Sequence, residues 1–361
     1  MQGLGNRFVV LAQFLSIISL SHLVHTFEAY ESHSQGFLQI ADFKEEIKQN
    51  MRNDQLKKNF LKSEKSLLTV GILTLPSTQD DMKTINSGQY VLEMAEIWML
   101  SAGLNPVAIP YNSTDDDLMT LLLQVNGIYF TGGDLDLYDP VTGQPHAYTV
   151  TSQKILNYAK QQKQYGAYFP IIGVCQGHEL LHMLIANDPQ ALGWSDLENQ
   201  NVNTDFLINP KSDSRLFSQF DDSLITALKT QNLMMHLHHR GIPASDYEKY
   251  PELKSFFKII STNTIGNQTI VSTAEAYDFP IYIMQYHPES VLDPVSDLLS
   301  NRSRINFLVA QSFSNFFASE CDQNDNQFQD RNTLEKTFVR NGSRGQVAFI
   351  NKLVNAFGID Y

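Results

Sequence analysis

The stretch that decides the fold is "FPIIGVCQGHELLHML", residues 169–184. An apolar run, a glycine-flanked corner and a segment with apolar residues at helical spacing follow one another without a break. This order predicts a buried strand that turns sharply into a helix, where a side chain at Gly173 or Gly177 would collide with neighbouring backbone. One of the chain's two cysteines, Cys175, stands at the corner. The turn would push its thiol out of the edge of the sheet.

The same alternation of strand and helix extends over residues 67–190. Short apolar runs such as "LLTVGILTL", "NPVAIP" and "GIYF" alternate with helix-like segments such as "GQYVLEMAEIWMLSAG" and "DDDLMTLLLQV". From 200 to 290 strand-like runs dominate, and the helix-like "NRSRINFLVAQSFSNFFASE" follows them. The pattern predicts an α/β fold with a doubly wound, mostly parallel sheet flanked by helices. Ligands of such sheets bind at the carboxyl ends of the strands, where Cys175 falls.

Four segments are predicted along the chain. Residues 1–26, with Arg7 before a mostly apolar run broken by serines, have the pattern of a cleaved signal peptide rather than of a membrane anchor. Residues 27–66 are polar and are predicted to be an N-terminal extension or propeptide. Residues 67–320 form a single globular domain, and residues 321–361 form a C-terminal extension in which "GQVAFINKLVNAFG" predicts a helix.

The bulk composition limits the classes of partner. The net charge is −13 and 42% of the residues are hydrophobic, which favours a globular protein over a nucleic-acid or anionic-membrane binder. No stable membrane association is expected once the signal peptide is removed. Sequons at Asn112, Asn267, Asn301 and Asn341 fit passage through the secretory pathway.

The two cysteines, Cys175 and Cys321, are too few for a disulfide framework. A bridge between them is one alternative, but a free thiol at Cys175 is favoured because the turn around it suits a reactive group. A helix that begins at Gln176 or Gly177 would direct its positive end at the sulfur, so we expect the pKa of the thiol to be lowered. A small buried structural thiol is the other alternative.

A candidate base for this thiol lies in "MQYHPES", residues 284–290. His287 ends a strand-like apolar run, and strand periodicity would put Glu289 on the same face. Pro288 prevents the run from continuing as a central strand. The carboxylate could hold one imidazole nitrogen and leave the other for the sulfur, as a nucleophile, a base and an orienting group require. A surface turn is the alternative.

A third element, "TGGD" at 131–134, follows the predicted strand "GIYF". Paired glycines at the end of a strand let a backbone N–H turn toward a reacting carbonyl. The amides of Gly133 and Gln176 are therefore predicted to form an oxyanion hole. An ordinary β-turn is the alternative, and a phosphate-binding loop is disfavoured because no lysine follows.

In this order and spacing, the three elements resemble the class I glutamine amidotransferase-like superfamily and, within it, the γ-glutamyl hydrolase family. The resemblance covers about residues 68–318 and is carried by "VGILTLP", "VNGIYFTGGDLDL", "YFPIIGVCQGHELL", "DSRLFSQF", "LHHRGI" and "YDFPIYIMQYHPE". It implies a flavodoxin-like sheet in a single catalytic domain. It also implies a cysteine peptidase that hydrolyses γ-glutamyl bonds of folyl poly-γ-glutamates, with Cys175 as nucleophile, His287 as general acid and base, and Glu289 as orienting group.

The resemblance also implies two substrate contacts. Members of the hydrolase branch have Glu four residues after the nucleophile, where glutaminase domains have Gln, and this chain has Glu179. His238 in "LHHRGI" matches a histidine near the cleft of the family, although His236 and His239 are close enough in sequence to be confused with it.

Some residues near the predicted cleft depart from the hydrolase pattern. Gln176 and His178 stand where apolar residues are commoner, and Tyr286 stands in place of a tryptophan. Two other functions therefore stay open, a glutaminase that delivers ammonia to a synthase and a non-catalytic secreted scaffold. Hydrolysis is the leading prediction because of Glu179.

No cofactor and no metal are expected, because the sequence has neither the Cys/His spacing of a metal site nor a dinucleotide-binding glycine pattern after its first strand. The expected partner is a small-molecule substrate, a poly-γ-glutamyl conjugate. The resemblance adds two further expectations, a homodimer and a secreted or lysosomal (vacuolar) location.

Overall fold

The computed structural model describes residues 67–293, 298–349 and 352–360, which belong to a compact unit, Lys65–Tyr361. The predicted signal peptide and N-terminal extension, residues 1–66, lie outside the described residues. Within the described ranges, no helix combines the length and the apolar character that a membrane span needs.

The described strands are numbered in chain order and have the following bounds: β1 Thr69–Leu73, β2 Leu75–Pro76, β3 Gln89–Leu92, β4 Asn105–Ile109, β5 Ile128–Phe130, β6 Ile171–Val174, β7 Gly193–Val202, β8 Asp205–Phe206, β9 Met234–Gly241, β10 Phe257–Ile265, β11 Gln268–Ala276, β12 Ile281–Met284, β13 Ser343–Phe349 and β14 Lys352–Gly358.

The described α-helices are α1 Gln79–Ile85, α2 Glu93–Ser101, α3 Asp115–Leu122, α4 Ala147–Gln164, α5 Gln176–Ala186, α6 Pro210–Asp213, α7 Asp222–Thr230, α8 Pro251–Phe256, α9 Arg304–Cys321 and α10 Arg331–Thr337. Short 3-10 helices cover Ala244–Glu248, Pro288–Leu292 and Val339–Asn341.

Eight strands form the central sheet in the order β4-β1-β5-β6-β12-β11-β10-β8. The first five are parallel to one another, and the pairings beyond β12 are antiparallel. Every residue of β1, β5, β6 and β12 is buried, which explains their unbroken apolar runs. The predicted α/β fold with a mostly parallel sheet is confirmed.

Three neighbouring strands of this sheet end together. Phe130 of β5 pairs with Gly173 of β6, and Val174 of β6 pairs with Met284 of β12. The segments that follow these strands, 131–134, 175–176 and 285–289, therefore lie side by side. This is the edge at which parallel sheets bind ligands.

The corner between β6 and α5 depends on its two glycines. A Cβ on Gly177 would lie 2.2 Å from the carbonyl oxygen of Phe130, and one on Gly173 would lie 2.8 Å from the carbonyl oxygen of Gly177. Both distances are too short for any larger residue. The predicted need for glycine on either side of Cys175 is confirmed.

The predicted C-terminal helix is wrong. "GQVAFINKLVNAFG" contributes to the antiparallel strands β13 and β14, with Val347 opposite Val354. β14 also pairs with β3, where Ala356 lies opposite Leu92, and the four strands β13-β14-β3-β2 form a second sheet. Long-range pairing of this kind outweighs a local helical pattern.

The helix predicted for "GQYVLEMAEIWMLSAG" is shorter than expected, because its first residues form β3 and α2 begins at Glu93. A third, two-stranded sheet joins β7 and β9. Strand β9 carries "HLHHR", residues 236–240, toward the edge where the three parallel strands end.

Candidate active site

Cys175 occupies a strained corner between β6 and α5. Its backbone angles are φ 50° and ψ −107°, a conformation that non-glycine residues rarely adopt. The backbone N–H of Cys175 donates to the carbonyl of Met284 at 2.8 Å, so the adjacent strand β12 holds the corner in place. Such strain is found where surrounding structure fixes a reactive residue.

Both cysteines are free and buried. Cys175 Sγ lies 3.7 Å from the carbonyl oxygen of Leu237 on β9, and the residue lines a cleft of about 490 Å³. The predicted free thiol is confirmed, and the alternative of a Cys175–Cys321 bridge is wrong.

The His287 imidazole is oriented by Glu289. His287 Nδ1 donates to Glu289 Oε1 at 2.8 Å, and both residues are almost fully buried. His287 Nε2 has no hydrogen-bond partner among the described residues, so this nitrogen is the one left for chemistry. The two residues meet through the 3-10 helix that Pro288 begins, not through strand periodicity as predicted, because β12 already ends at Met284.

The thiol and the imidazole titrate as a coupled pair. Burial raises the pKa of the Cys175 thiol, and the neighbouring His287 opposes this rise. Burial would lower the pKa of His287, but the charges of Cys175 and Glu289 outweigh it and raise this pKa. The expectation that the helix would lower the thiol pKa on its own is wrong, because the thiol is buried. The thiolate instead depends on a proton held by His287.

Tyr129, on β5, is a buried neighbour of this pair. Burial raises the pKa of its phenol well above the usual range, and the charges of Glu289 and Cys175 raise it further. The ring packs edge-on against Trp98, with centroids 5.5 Å apart. The phenol therefore stays neutral beside the Cys175 and Glu289 charges.

The two residues whose amides are predicted to form the oxyanion hole line the same cleft as the thiol. Gly133 follows β5 and Gln176 begins α5, and both residues line the cleft with Cys175. Among the described residues, neither backbone N–H is engaged by a protein acceptor. The Gln176 side chain fixes the loop, because its Nε2 donates to the carbonyl of Leu135 at 2.8 Å. The structure thus brings these predicted donors into the same cleft as the Cys175 thiol.

Glu179 also lines the cleft, one helical turn after Cys175. Gln285 Nε2 donates to its Oε1 at 2.9 Å. Burial raises the pKa of the Glu179 carboxyl to about 7, although Gln285, Arg240 and His287 oppose the rise. A carboxyl that exchanges a proton near neutral pH can face an anionic or a neutral group of a substrate.

His238 lines the cleft from β9 and is buried. Its Nε2 lies 2.9 Å from His236 Nδ1, so one imidazole orients the other. Burial lowers the pKa of His238 to about 3 and keeps the ring neutral. The two histidines that could be confused with it lie elsewhere, because His236 is buried beneath it and His239 lies farther along the cleft, 3.1 Å from Asp196.

One residue of the site was missed in the sequence. Phe349, the last residue of β13, packs edge-on against His287 with ring centroids 5.8 Å apart. It is fully buried. Its segment was predicted as a helix of a C-terminal extension, so nothing in the local pattern indicated a contact with the active site.

Among the described residues, no group of three or more His, Cys, Asp or Glu is arranged to hold a metal ion. The groups described at the site are a thiol, an imidazole, a carboxylate and two backbone N–H groups.

Comparison with known proteins identifies the family. The profile of the peptidase C26 family matches residues 69–289, which include Cys175, His287 and Glu289. The chain is a member of the peptidase C26 family. The predicted resemblance is confirmed by this match and by the relatives.

Curated relatives of this peptidase C26 chain share one name. Gamma-glutamyl hydrolase B of Dictyostelium discoideum is 30% identical over 75% of this chain and 77% of its own length. Gamma-glutamyl hydrolase 1 of Arabidopsis thaliana is 30% identical over 73% of this chain and 75% of its length. The human gamma-glutamyl hydrolase is 28% identical over 75% of this chain and 82% of its length.

Proposed function

We propose that this peptidase C26 member hydrolyses γ-linked glutamyl peptide bonds by nucleophilic catalysis at Cys175. The observation that carries the proposal is that Cys175, which lines the cleft, interacts with the buried His287–Glu289 pair at the ends of adjacent parallel strands. The names of the relatives support γ-glutamyl conjugates as the class of substrate.

Acylation begins with transfer of the thiol proton from Cys175 to His287. The thiolate attacks the γ-carbonyl carbon, and the negative charge that forms on the carbonyl oxygen is received by the N–H groups of Gly133 and Gln176. The protonated imidazole then gives its proton to the leaving nitrogen, and the C–N bond breaks. The products of this half-reaction are a free amine and a thioester on Cys175.

Deacylation uses the same groups in reverse roles. A water molecule gives a proton to His287 and attacks the thioester carbonyl, and the oxyanion is again held by the two amides. Collapse of the tetrahedral intermediate breaks the C–S bond, and the thiolate takes its proton back from the imidazole. One water is consumed for each γ-glutamyl bond. The Glu289 carboxylate keeps Nδ1 protonated throughout and stabilises the imidazolium.

The substrate is proposed to be a poly-γ-glutamyl conjugate such as a folyl poly-γ-glutamate. Glu179 and His238 are proposed to contact it, and this is supported by their position on the walls of the cleft. The raised pKa of Glu179 lets this carboxyl accept a proton when a carboxylate of the substrate approaches. A cationic side chain, that of Arg240, lines the same cleft and suits an anionic substrate.

The cellular route is part of the proposal. We infer export through the secretory pathway to the outside of the cell or to a lysosome or vacuole, supported by the signal-peptide pattern of residues 1–26. Modification of the sequons on that route is proposed because of the same signal-peptide pattern. A homodimer is proposed because of the family resemblance.

The proposed function is tested with the purified chain and a γ-linked oligoglutamate. Cys175→Ala is expected to reduce glutamate release by about 10³-fold or more, because no other nucleophile replaces the thiol. Cys321→Ala is the matched control, since Cys321 is also a free buried cysteine but packs near Gly127, away from the cleft. It should keep its activity. An active Cys175→Ala, or a wild type that cleaves free glutamine alone, contradicts the proposal.

A further inference from the structure

One oxygen of the Glu289 carboxylate is left unpaired among the described residues. Oε1 accepts a hydrogen bond from His287 Nδ1 at 2.8 Å, whereas the buried Oε2 has no hydrogen-bond partner in this part of the chain. An unpaired buried acceptor costs free energy, and the cost is larger for a charged group than for a neutral one. A carboxylate that orients the imidazole is therefore stabilised if a second donor reaches Oε2.

A buried donor without a partner lies beside this carboxylate. The Tyr129 hydroxyl, on β5, also lacks a hydrogen bond of full geometry among the described residues. Burial raises the pKa of this phenol, the charges of Glu289 and Cys175 raise it further, and so does hydrogen bonding to Glu289. The phenol therefore keeps its proton and lies within reach of the carboxylate. An unpaired donor and an unpaired acceptor are thus neighbours in the interior.

The Tyr129 side chain is held in place from several sides. Its backbone pairs with Ile72 of β1 and Ile172 of β6, so a strand flanks it on either side. Its ring packs against Trp98 of α2, with centroids 5.5 Å apart, and Trp98 Nε1 donates to the carbonyl of Ala310 at 2.8 Å. The hydroxyl is therefore already ordered, and a hydrogen bond from it costs little conformational entropy.

The segment that carries Glu289 packs against the same helices. The 3-10 helix Pro288–Leu292 contacts α2 and α9, the two helices that the Trp98 hydrogen bond joins. Ser290 Oγ donates to the carbonyl of His287 at 2.8 Å, which holds the turn between the imidazole and the carboxylate. Tyr129 and the 3-10 helix therefore share α2 as a neighbour, in agreement with the closeness of the phenol and the carboxylate.

The other charged groups of these elements have different surroundings. The charged residues of α2, of α9 and at the end of the 3-10 helix are Glu93, Glu96, Arg304, Glu320 and Asp293. Arg344 donates to Glu93 at 2.8 Å and is also attracted by the charge of Asp293. Arg340 Nε lies 3.4 Å from Glu96 Oε1, the Tyr282 hydroxyl donates to Glu320 at 2.6 Å, and Arg304 is exposed. The two arginines are thus engaged elsewhere, and Tyr129 is left as the donor for Glu289.

We propose that Tyr129 is a positioning residue of the active site, whose hydroxyl donates a hydrogen bond to Glu289 Oε2 and so fixes the carboxylate that orients His287. The bond spreads the negative charge of the carboxylate and weakens its pull on the imidazole proton. Tyr129 is fully buried and does not line the cleft, so it acts through Glu289 rather than on a substrate. The proposal rests on the proposed function for the role of His287 as base.

Steady-state kinetics on a γ-linked oligoglutamate give the first test. Tyr129→Phe removes the hydroxyl and keeps the ring, and it should lower kcat by about 3- to 10-fold, the contribution typical of one hydrogen bond, without changing KM. Tyr148→Phe is the matched control, because the nearby Tyr148 is fully buried and its hydroxyl is also unpaired among the described residues. Burial alone raises the pKa of Tyr148, without a carboxylate. This variant should keep the wild-type kcat.

An NMR titration of His287 gives a readout that a purely structural role would not change. Full-length Cys175→Ala protein with isotopically labelled histidine is used, so that the imidazole titrates without the thiol, and the signals of His287 are assigned by their absence from a His287→Asn variant. Without the bond to Oε2, more negative charge stays on the carboxylate, so Tyr129→Phe should raise the pKa of His287 above that of the Cys175→Ala parent. Tyr148→Phe should leave this pKa unchanged.

The outcomes separate this proposal from the proposed function. If Tyr129→Phe keeps the wild-type kcat, loses no more kcat than Tyr148→Phe, or leaves the titration of His287 unchanged, the proposal is overturned and γ-glutamyl hydrolysis stands. If the wild type hydrolyses no γ-linked bond, the proposed function fails, and the titration of His287 alone decides whether the Tyr129 hydroxyl acts on Glu289.

Discussion

Gly132 has room for no more than a hydrogen atom between two rings of the active site. A Cβ at this position would lie 2.5 Å from Cε1 of His287 and 3.3 Å from Cζ of Phe349. The glycine in "TGGD" is therefore needed for the close approach of the loop to the imidazole, in addition to the amide that Gly133 offers. A side chain here would have to displace the imidazole of His287, the proposed base.

Gly132→Ala is accordingly expected to lower kcat by about 10²-fold, the cost typical of a displacement of about 1 Å in a catalytic group. Steady-state kinetics on a γ-linked oligoglutamate, with a thermal unfolding curve to show that the variant is folded, measure the effect. Gly88→Ala is the matched control, because a Cβ there meets nothing closer than the Met82 Cε at 3.7 Å. Equal activity of the two variants would contradict this account of the loop.

At the scale of elements, the C-terminal hairpin completes the active site. It lies beyond residue 289, where the match to the peptidase C26 profile ends, yet β13 brings Phe349 against the imidazole of His287. The strand order β13-β14-β3-β2 ties this hairpin to the segment just before α2. The imidazole of His287, the proposed base, is thus in contact with a hairpin that is distant from it in sequence.

Phe349→Ala is expected to lower kcat by about 10-fold with little change in KM, because the ring that restrains His287 is lost while the substrate-binding walls remain. The unfolding free energy should also fall by about 3–5 kcal/mol, as is typical when a buried phenylalanine is removed. Kinetics must therefore be measured well below the unfolding temperature.

The neighbouring strand offers the control for this experiment. Leu353 on β14 is 54% exposed, so Leu353→Ala should leave both kcat and stability nearly unchanged. Phe349→Tyr, which keeps the ring, should recover much of the lost kcat. If Phe349→Ala loses stability but keeps the wild-type kcat, the ring has a purely structural role.

Elements can be predicted from the sequence where their own residues form a recognisable local pattern. The corner at Cys175 could be found because an apolar strand, two glycines and a helix are contiguous. The mostly parallel sheet and the family resemblance could be predicted from the order and spacing of such blocks, whereas the order of the strands in the sheet could not. The hairpin could not be found, because Val347, Val354 and Phe357 have spacing that also fits one face of a helix. The segment forms strands because β14 pairs with β3, which is more than 250 residues away in sequence.

At the scale of the whole molecule, four buried histidines lie on α5 and β9, and one of them, His238, lines the cleft. His178 and His182 of α5 and His236 and His238 of β9 are at most 2% exposed. His182 Nε2 lies 2.8 Å from the Tyr247 hydroxyl, whereas neither ring nitrogen of His178 has a hydrogen-bond partner among the described residues. Imidazoles buried in this way avoid the charged form.

The pKa values of the cluster are low for this reason. Burial lowers the pKa of His182 and His238 to about 3 and lowers the pKa of His178 and His236 well below the usual range. The folded protein keeps all four rings neutral, whereas an unfolded chain would protonate them below about pH 6.5. The stability that they contribute is therefore fully present above this pH and is lost as the pH falls.

Two groups of the active site act in the opposite direction. The pKa of Glu179 is raised to about 7 and that of His287 is also raised, so the folded state holds these protons more tightly than an unfolded chain does. Their contribution favours the folded state at lower pH. Glu179 and His287 offset only part of the stability that the four histidines lose as the pH falls. The folded state is therefore more stable near neutral pH than at acidic pH.

We expect the unfolding free energy to fall by on the order of 2 kcal/mol between pH 7 and pH 5.5, which corresponds to about 5 °C in Tm for a chain of this size. Thermal unfolding measured across this range tests the prediction.

His178→Met removes one of the four buried rings without leaving a cavity. In this variant the fall of the unfolding free energy on acidification should be less steep by up to about 1.4 kcal/mol per pH unit. Above pH 8, where all four rings are neutral in both states, the curves of the variant and the wild type should run parallel. A Tm that rises on acidification would show that Glu179 and His287 outweigh the cluster, and the chain would then be better suited to an acidic compartment than to a neutral one.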